Sequence, residues 1–164
     1  MKTEQGVWVS NLAEGLVLEI TKQMSGIILY SMRENPPEHR RMAVVRGLIG
    51  GDYPLKVQFF ADRALFYRLT QNMLGDHPSE EDIEDYAIEF FNILCGRFLS
   101  EIVNQTHISA RLMPIRYELP AEETTPETDE SMCTLNFVSD KQEQVAFSWT
   151  AVPIEEMMRR SKKR

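Results

Sequence analysis

The chain has 164 residues, 43% of them hydrophobic and 26% charged, which is enough for one domain with a substantial core. Its formal charge of −7 argues against nonspecific nucleic-acid binding, which needs lysines and arginines to neutralise phosphates, and favours a protein partner. The apolar runs are far too short to cross a bilayer, and no basic region followed by an apolar stretch opens the chain, so a cytoplasmic location is expected.

Ser10 stands where it would cap a first helix over 10–25, running through Leu12, Leu16, Ile20 and Met24, and Gly26 suits the left-handed position after it. Three β-like runs follow at 27–32, 42–49 and 55–60, with Gly50, Gly51 and Asp52 turning the last two into a hairpin. Asp62 heads a second helix through Leu65, Leu69 and Met73, which Gly75 ends before Pro78. Ser79 and Asp82 make a capping-box pattern at the start of a long helix reaching about Gln105. Strand-like runs come next at 109–117, 132–138 and 145–151, the last alternating Val145, Phe147 and Trp149 on one face, and Pro153 opens a short terminal helix. The intervening stretch 119–130 is rich in proline and acid and reads as a flexible excursion.

The order α-β-β-β-α thus occurs twice, over 10–75 and 79–160. It predicts a single α+β domain, 1–160, with a mostly antiparallel six-stranded sheet packed by long helices, and a basic tail at 161–164. The acidic cluster Asp76, Glu80, Glu81, Asp82, Glu84 and Asp85 and the basic end from Arg159 to Arg164 read as solvated surface. Cys95 and Cys133 fall in a helix and a strand pattern with no second pair for a metal or disulfide framework, and both read as buried thiols. His39, His77 and His107 are scattered without ligand spacing, so no metal site is expected.

On the long helix Ile83, Ala87, Phe90, Leu94, Phe98 and Ile102 make one apolar face. At about 100° per residue, Asp85, Glu89, Asn92 and Gly96 share a stripe roughly 60° wide on the opposite side. Such a stripe alone is common on solvated helices. The full spacing Asp85-x3-Glu89-x2-Asn92-x21-Pro114, however, resembles the signature of the CheC/CheX/FliY family of response-regulator phosphatases. At average residue usage the four-point pattern arises by chance in on the order of one chain in several hundred, which makes it moderately specific. The resemblance runs from about Ser10 to Pro153 and leaves out the acidic loop and the tail. The first helix offers Ser10-x3-Glu14-x2-Val17, where valine replaces the required asparagine and His39 stands at the place of the downstream proline. One intact site makes the chain similar to CheX more than to two-site CheC.

The resemblance implies a phosphatase acting on the aspartyl phosphate of a CheY-like receiver domain in chemotaxis or two-component signalling. No cofactor of its own is implied; a divalent metal, Mg, would sit on the receiver. Asn92 would orient the attacking water and Glu89 would pair with the receiver's active-site lysine, anchoring the helix rather than acting as a base. Asp85 either supports this contact or is plain helix surface, and Gly96 either admits the receiver backbone or is a tolerated helix glycine. Pro114 would shape the strand after the helix without touching phosphate. A homodimer built partly through sheet edges, covering strands such as 132–138, is also implied. The main alternative is a receiver-binding or flagellar-switch adaptor that docks without accelerating hydrolysis. A tail-directed RNA or membrane binder is disfavoured by the acidic body.

Overall fold

Among residues 4–33, 42–119 and 132–152, which the computed structural model describes, the chain forms three helices and seven strands. In order these are α1 (Glu4–Ser25), β1 (Leu29–Met32), β2 (Met42–Gly51), β3 (Leu55–Asp62), α2 (Arg63–Leu74), α3 (Glu80–Thr106), β4 (Ala110–Leu112), β5 (Arg116–Glu118), β6 (Met132–Ser139) and β7 (Gln144–Ala151). The strands build one sheet in the order β1-β6-β7-β3-β2-β4, with β5 also on β2, and every pairing is antiparallel. The class is α+β, as expected from the sequence.

The sheet reads the same from either end. At its centre β3 lies beside β7 with Phe59 opposite Phe147. Outward come their hairpin partners, β2 and β6, and outermost each half lends its first strand to the other half: β1 pairs β6, while β4 and β5 pair β2. The expected terminal helix, the acidic stretch 120–130 and the basic tail lie outside the described residues.

Alternation along the strands sends Val45 and Ile49, Val57 and Phe59, and Phe147 and Trp149 to one face, where α1, α2 and α3 all pack. This main core also takes Leu16, Val17 and Ile20 from α1 and Phe90, Phe91, Leu94 and Phe98 from α3. Each fully buried phenylalanine contributes roughly 1.5–3 kcal/mol relative to exposure, so the aromatic-rich face of α3 is a main support of the fold. The opposite face holds a small second cluster of Met42, Val44, Phe60 and Ala146. Arg68 on α2 ties the helix layer to the β6–β7 turn through Glu143 and Asp140. Burial works against its charge, but the bonds to the two carboxylates outweigh this and raise its pKa.

Local signals explain most helix ends. Ser79 accepts from Asp82 N–H while the Asp82 carboxylate accepts from Ser79 N–H, a complete capping box. Gly75 closes α2 in the left-handed region, φ 82°, with its N–H on Gln71 O. The β2–β3 hairpin also forms as expected; at Gly51, φ 125°, a Cβ would stand 2.2 Å from Ser109 O, so only glycine fits.

Four expectations are corrected. Helix α1 begins at Glu4, not at Ser10, because Trp8 and Val9 already pack against the core and carry the apolar phase further upstream. Asp62 makes no side-chain cap on α2; its Oδ2 accepts from Gln144 N–H at 2.7 Å and ties β3 to β7. The run 109–117 is broken into two three-residue strands around Pro114, which has no N–H to give to β2. Cys133 is exposed, and among the described residues β1 pairs 136–139 of β6 while no strand pairs 132–135 on that side, so 132–138 is an open edge there over its first half alone.

Candidate functional site

The rotation of α3 about its axis is fixed by its aromatic residues. Phe90 meets Phe59 edge-on with ring centroids 5.2 Å apart, and Phe98 meets Phe147 at 5.9 Å. With that side seated in the core, Asp85, Glu89, Asn92 and Gly96 all emerge exposed on the outer side. Among the described residues no side chain holds Glu89 or Asn92, so both are available to a partner.

Glu89 and Asn92 line an open groove of about 370 Å3 together with Ile88, Leu112, Met113, Pro114 and Ile115. One wall is α3 and the other is the break between β4 and β5. Met113 N–H donates to Leu48 O at 2.8 Å and holds the break against β2. Beneath it lies Gly47, where an added Cβ would stand 3.4 Å from Leu112 Cδ1, 3.4 Å from Phe91 Cε1 and 3.6 Å from Ile115 Cγ1. Helix, break and sheet thus meet at this point with room for little more than a methyl group.

The structure brings Glu89, Asn92 and Pro114 to one place and leaves Asp85 and Gly96 on the same exposed stripe beyond the groove lining. Pro114 is on the groove's wall and exposed, a position that the strand-shaping expectation did not foresee. Ile88, Leu112, Met113 and Ile115 were missed by sequence reasoning; their one available signal was that three of them surround the motif proline.

The first-helix residues Ser10, Glu14 and Val17 do not repeat the exposed arrangement of α3, since Val17 is fully buried. Helix α1 buries Ala13, Leu16, Val17 and Ile20 with the spacing at which α3 buries Ala87, Phe90, Phe91 and Leu94. Val17 thus occupies the place of core residue Phe91, and Leu18 that of Asn92. Ser10 lies mid-helix, and Glu14 accepts from Ser31 Oγ at 2.9 Å on β1.

Chemically the site offers one carboxylate and one carboxamide. Cys95 lies one turn along α3 but faces the core; it is fully buried, and burial pushes its thiol up, away from nucleophilic use. Among the described residues no group of three His, Cys, Asp or Glu side chains is placed to hold a metal ion. A carboxylate can engage a cation, and a carboxamide can both donate and accept, which suits holding a water against an anionic group.

No protein-family model and no curated protein sequence matches the chain. Solved structures do. The chemotaxis protein CheX from Vibrio vulnificus superposes with a TM-score of 0.71 at 18% identity, over 88% of this chain and 99% of that one. The CheX-CheY-BeF3-Mg+2 complex from Borrelia burgdorferi gives 0.72 at 8% identity, over 87% and 97%. This is the CheC/CheX/FliY fold. FliY from Thermotoga maritima shares it at a TM-score of 0.62 and 14% identity, over 95% of this chain and 93% of that one. The CheX fold therefore spans nearly the whole chain. Among the described residues no helix is long and apolar enough to cross a membrane.

Proposed function

We propose that the protein hydrolyses the aspartyl phosphate of a CheY-like receiver domain. The observation that carries this reading is that Glu89 and Asn92, held by no side chain among the described residues, stand on the outer face of α3 and line one groove, on a fold shared with CheX. The structural neighbour from Borrelia burgdorferi is a complex of CheX with CheY.

An aspartyl phosphate is a mixed anhydride, and in the receiver's own pocket a divalent metal and a lysine already neutralise its charge. A second protein then needs only to set water in line with phosphorus. The Asn92 carboxamide does this by accepting from the water and donating to a phosphoryl oxygen, and being neutral it does not repel the anion. Glu89 pairs with the receiver's lysine, which seats the helix and fixes the reach of Asn92. Phe90 and Phe91 seat in the core the helix backbone that carries both side chains. The metal belongs to the receiver and the reaction to the cytoplasm, where receivers work. A homodimer through a sheet edge goes with the same reading; β1 is the edge strand beside β6.

The test is the rate of phosphate loss from a phosphorylated CheY-like receiver with the protein and with Asn92→Ala. Removal of one positioned hydrogen-bonding group at a reacting centre costs roughly a hundredfold in rate. The expected result is acceleration by the wild type, its loss in the variant, and binding kept in both. Binding without acceleration by the wild type would instead make the chain a receiver adaptor.

A further inference from the structure

We propose that the groove between α3 and the 113–115 break is a socket for an apolar side chain that stands beside a cation on the receiver's surface. The inference rests on the receiver reading above and states what feature of the receiver is recognised.

Five of the seven residues lining the groove are apolar: Ile88 from α3, then Leu112, Met113, Pro114 and Ile115. Glu89 is the one formal charge in the lining and Asn92 the one amide. A small apolar hollow with one carboxylate in its wall accepts an aliphatic or aromatic side chain and favours a basic neighbour to it; an acidic segment is repelled. The hollow, of about 370 Å3, is open to solvent on one side, and one large side chain laid into it occupies a good part of it.

The socket is preformed. Its floor is fixed by the contact of Gly47 with Phe91, Leu112 and Ile115, and its outer wall by the bond from Met113 N–H to Leu48 O. Pro114 adds a wall residue whose φ is set by its ring. A partner side chain therefore enters without ordering the site first, and apolar contact of this kind separates partners by size. The two halves of the site then have different tasks: Asn92 acts on the phosphoryl group, and the apolar wall selects which receiver stays long enough to be acted on.

Met113→Glu in the full chain puts a second carboxylate in the groove with Glu89. The probes are a CheY-like receiver loaded with beryllofluoride and Mg2+ for affinity, and the phosphorylated receiver for steady-state hydrolysis. The expected result is a fall in affinity and a rise in KM of at least about tenfold, with kcat within about twofold. Unchanged affinity in a variant that melts like the wild type overturns the socket. If Met113→Glu does not fold, Pro114→Asp on the exposed rim gives the same readout. A change of oligomeric mass with Met113→Glu, with receiver affinity kept, would assign the groove to a second copy of the chain and overturn the proposal. Asn92→Ala reports on the phosphatase reading separately: an unchanged hydrolysis rate there removes that reading, while receiver affinity still judges the socket.

Discussion

Gly47 on β2 and Phe91 on α3 approach so closely that a Cβ on the glycine would stand 3.4 Å from the ring at Cε1. The space between helix and sheet under the groove therefore holds little more than a methyl group at this position. Gly47→Val is expected to overpack this point and destabilise the fold by about 1–3 kcal/mol, read as a lower urea midpoint with an unchanged slope. Because the same contact holds Leu112 and Ile115, hydrolysis should fall even where the variant is fully folded. Full activity in folded Gly47→Val would show that the groove tolerates a shifted floor.

Gly96 separates stability from function in the opposite direction. It is exposed in the interior of α3, with nothing within 4 Å of where a Cβ would stand. Gly96→Ala should stabilise the protein by about 1 kcal/mol through helix propensity alone. If the receiver lies along the stripe, Gly96→Trp should fold equally well and lose receiver affinity by tenfold or more. Retained affinity in Gly96→Trp would place the receiver on another part of α3.

The two cysteines differ in reach. Cys95 is fully buried and Cys133 exposed. A thiol reagent should modify one cysteine rapidly in the native protein and the second at the rate of opening, with both reacting at once in denaturant. Two fast thiols in the native state would contradict the packing of α3.

Much of this was legible in the sequence wherever the cause was local. The Ser79–Asp82 box, the Gly75 terminator and the Gly50–Asp52 turn each act within a few residues, and each formed. Ser10 misled because a serine before an apolar run looks like a cap, while Trp8 and Val9, which carry the helix past it, show their value only against the core. Among the described residues β1, about a hundred residues away in the chain, covers β6 only from Asn136 on, and no local pattern around Cys133 reports this. In the site, spacing along α3 was enough to put Asp85, Glu89, Asn92 and Gly96 on one outer stripe. That Pro114 and its apolar neighbours form a groove with Asn92 depends on how the β4–β5 break packs on β2 and α3, a long-range arrangement that no local pattern reports.

The exchange of first strands between the halves also governs how the chain can reach this state. Leu29 pairs with Ser139, so β1 has no partner until nearly all of the described chain has been made. Pairings this distant in sequence slow folding, since the connecting chain must be closed before the contacts repay it. During synthesis the first half waits with an apolar helix and an unmatched strand. It is completed by β6, a segment that lies beyond the groove wall in the chain.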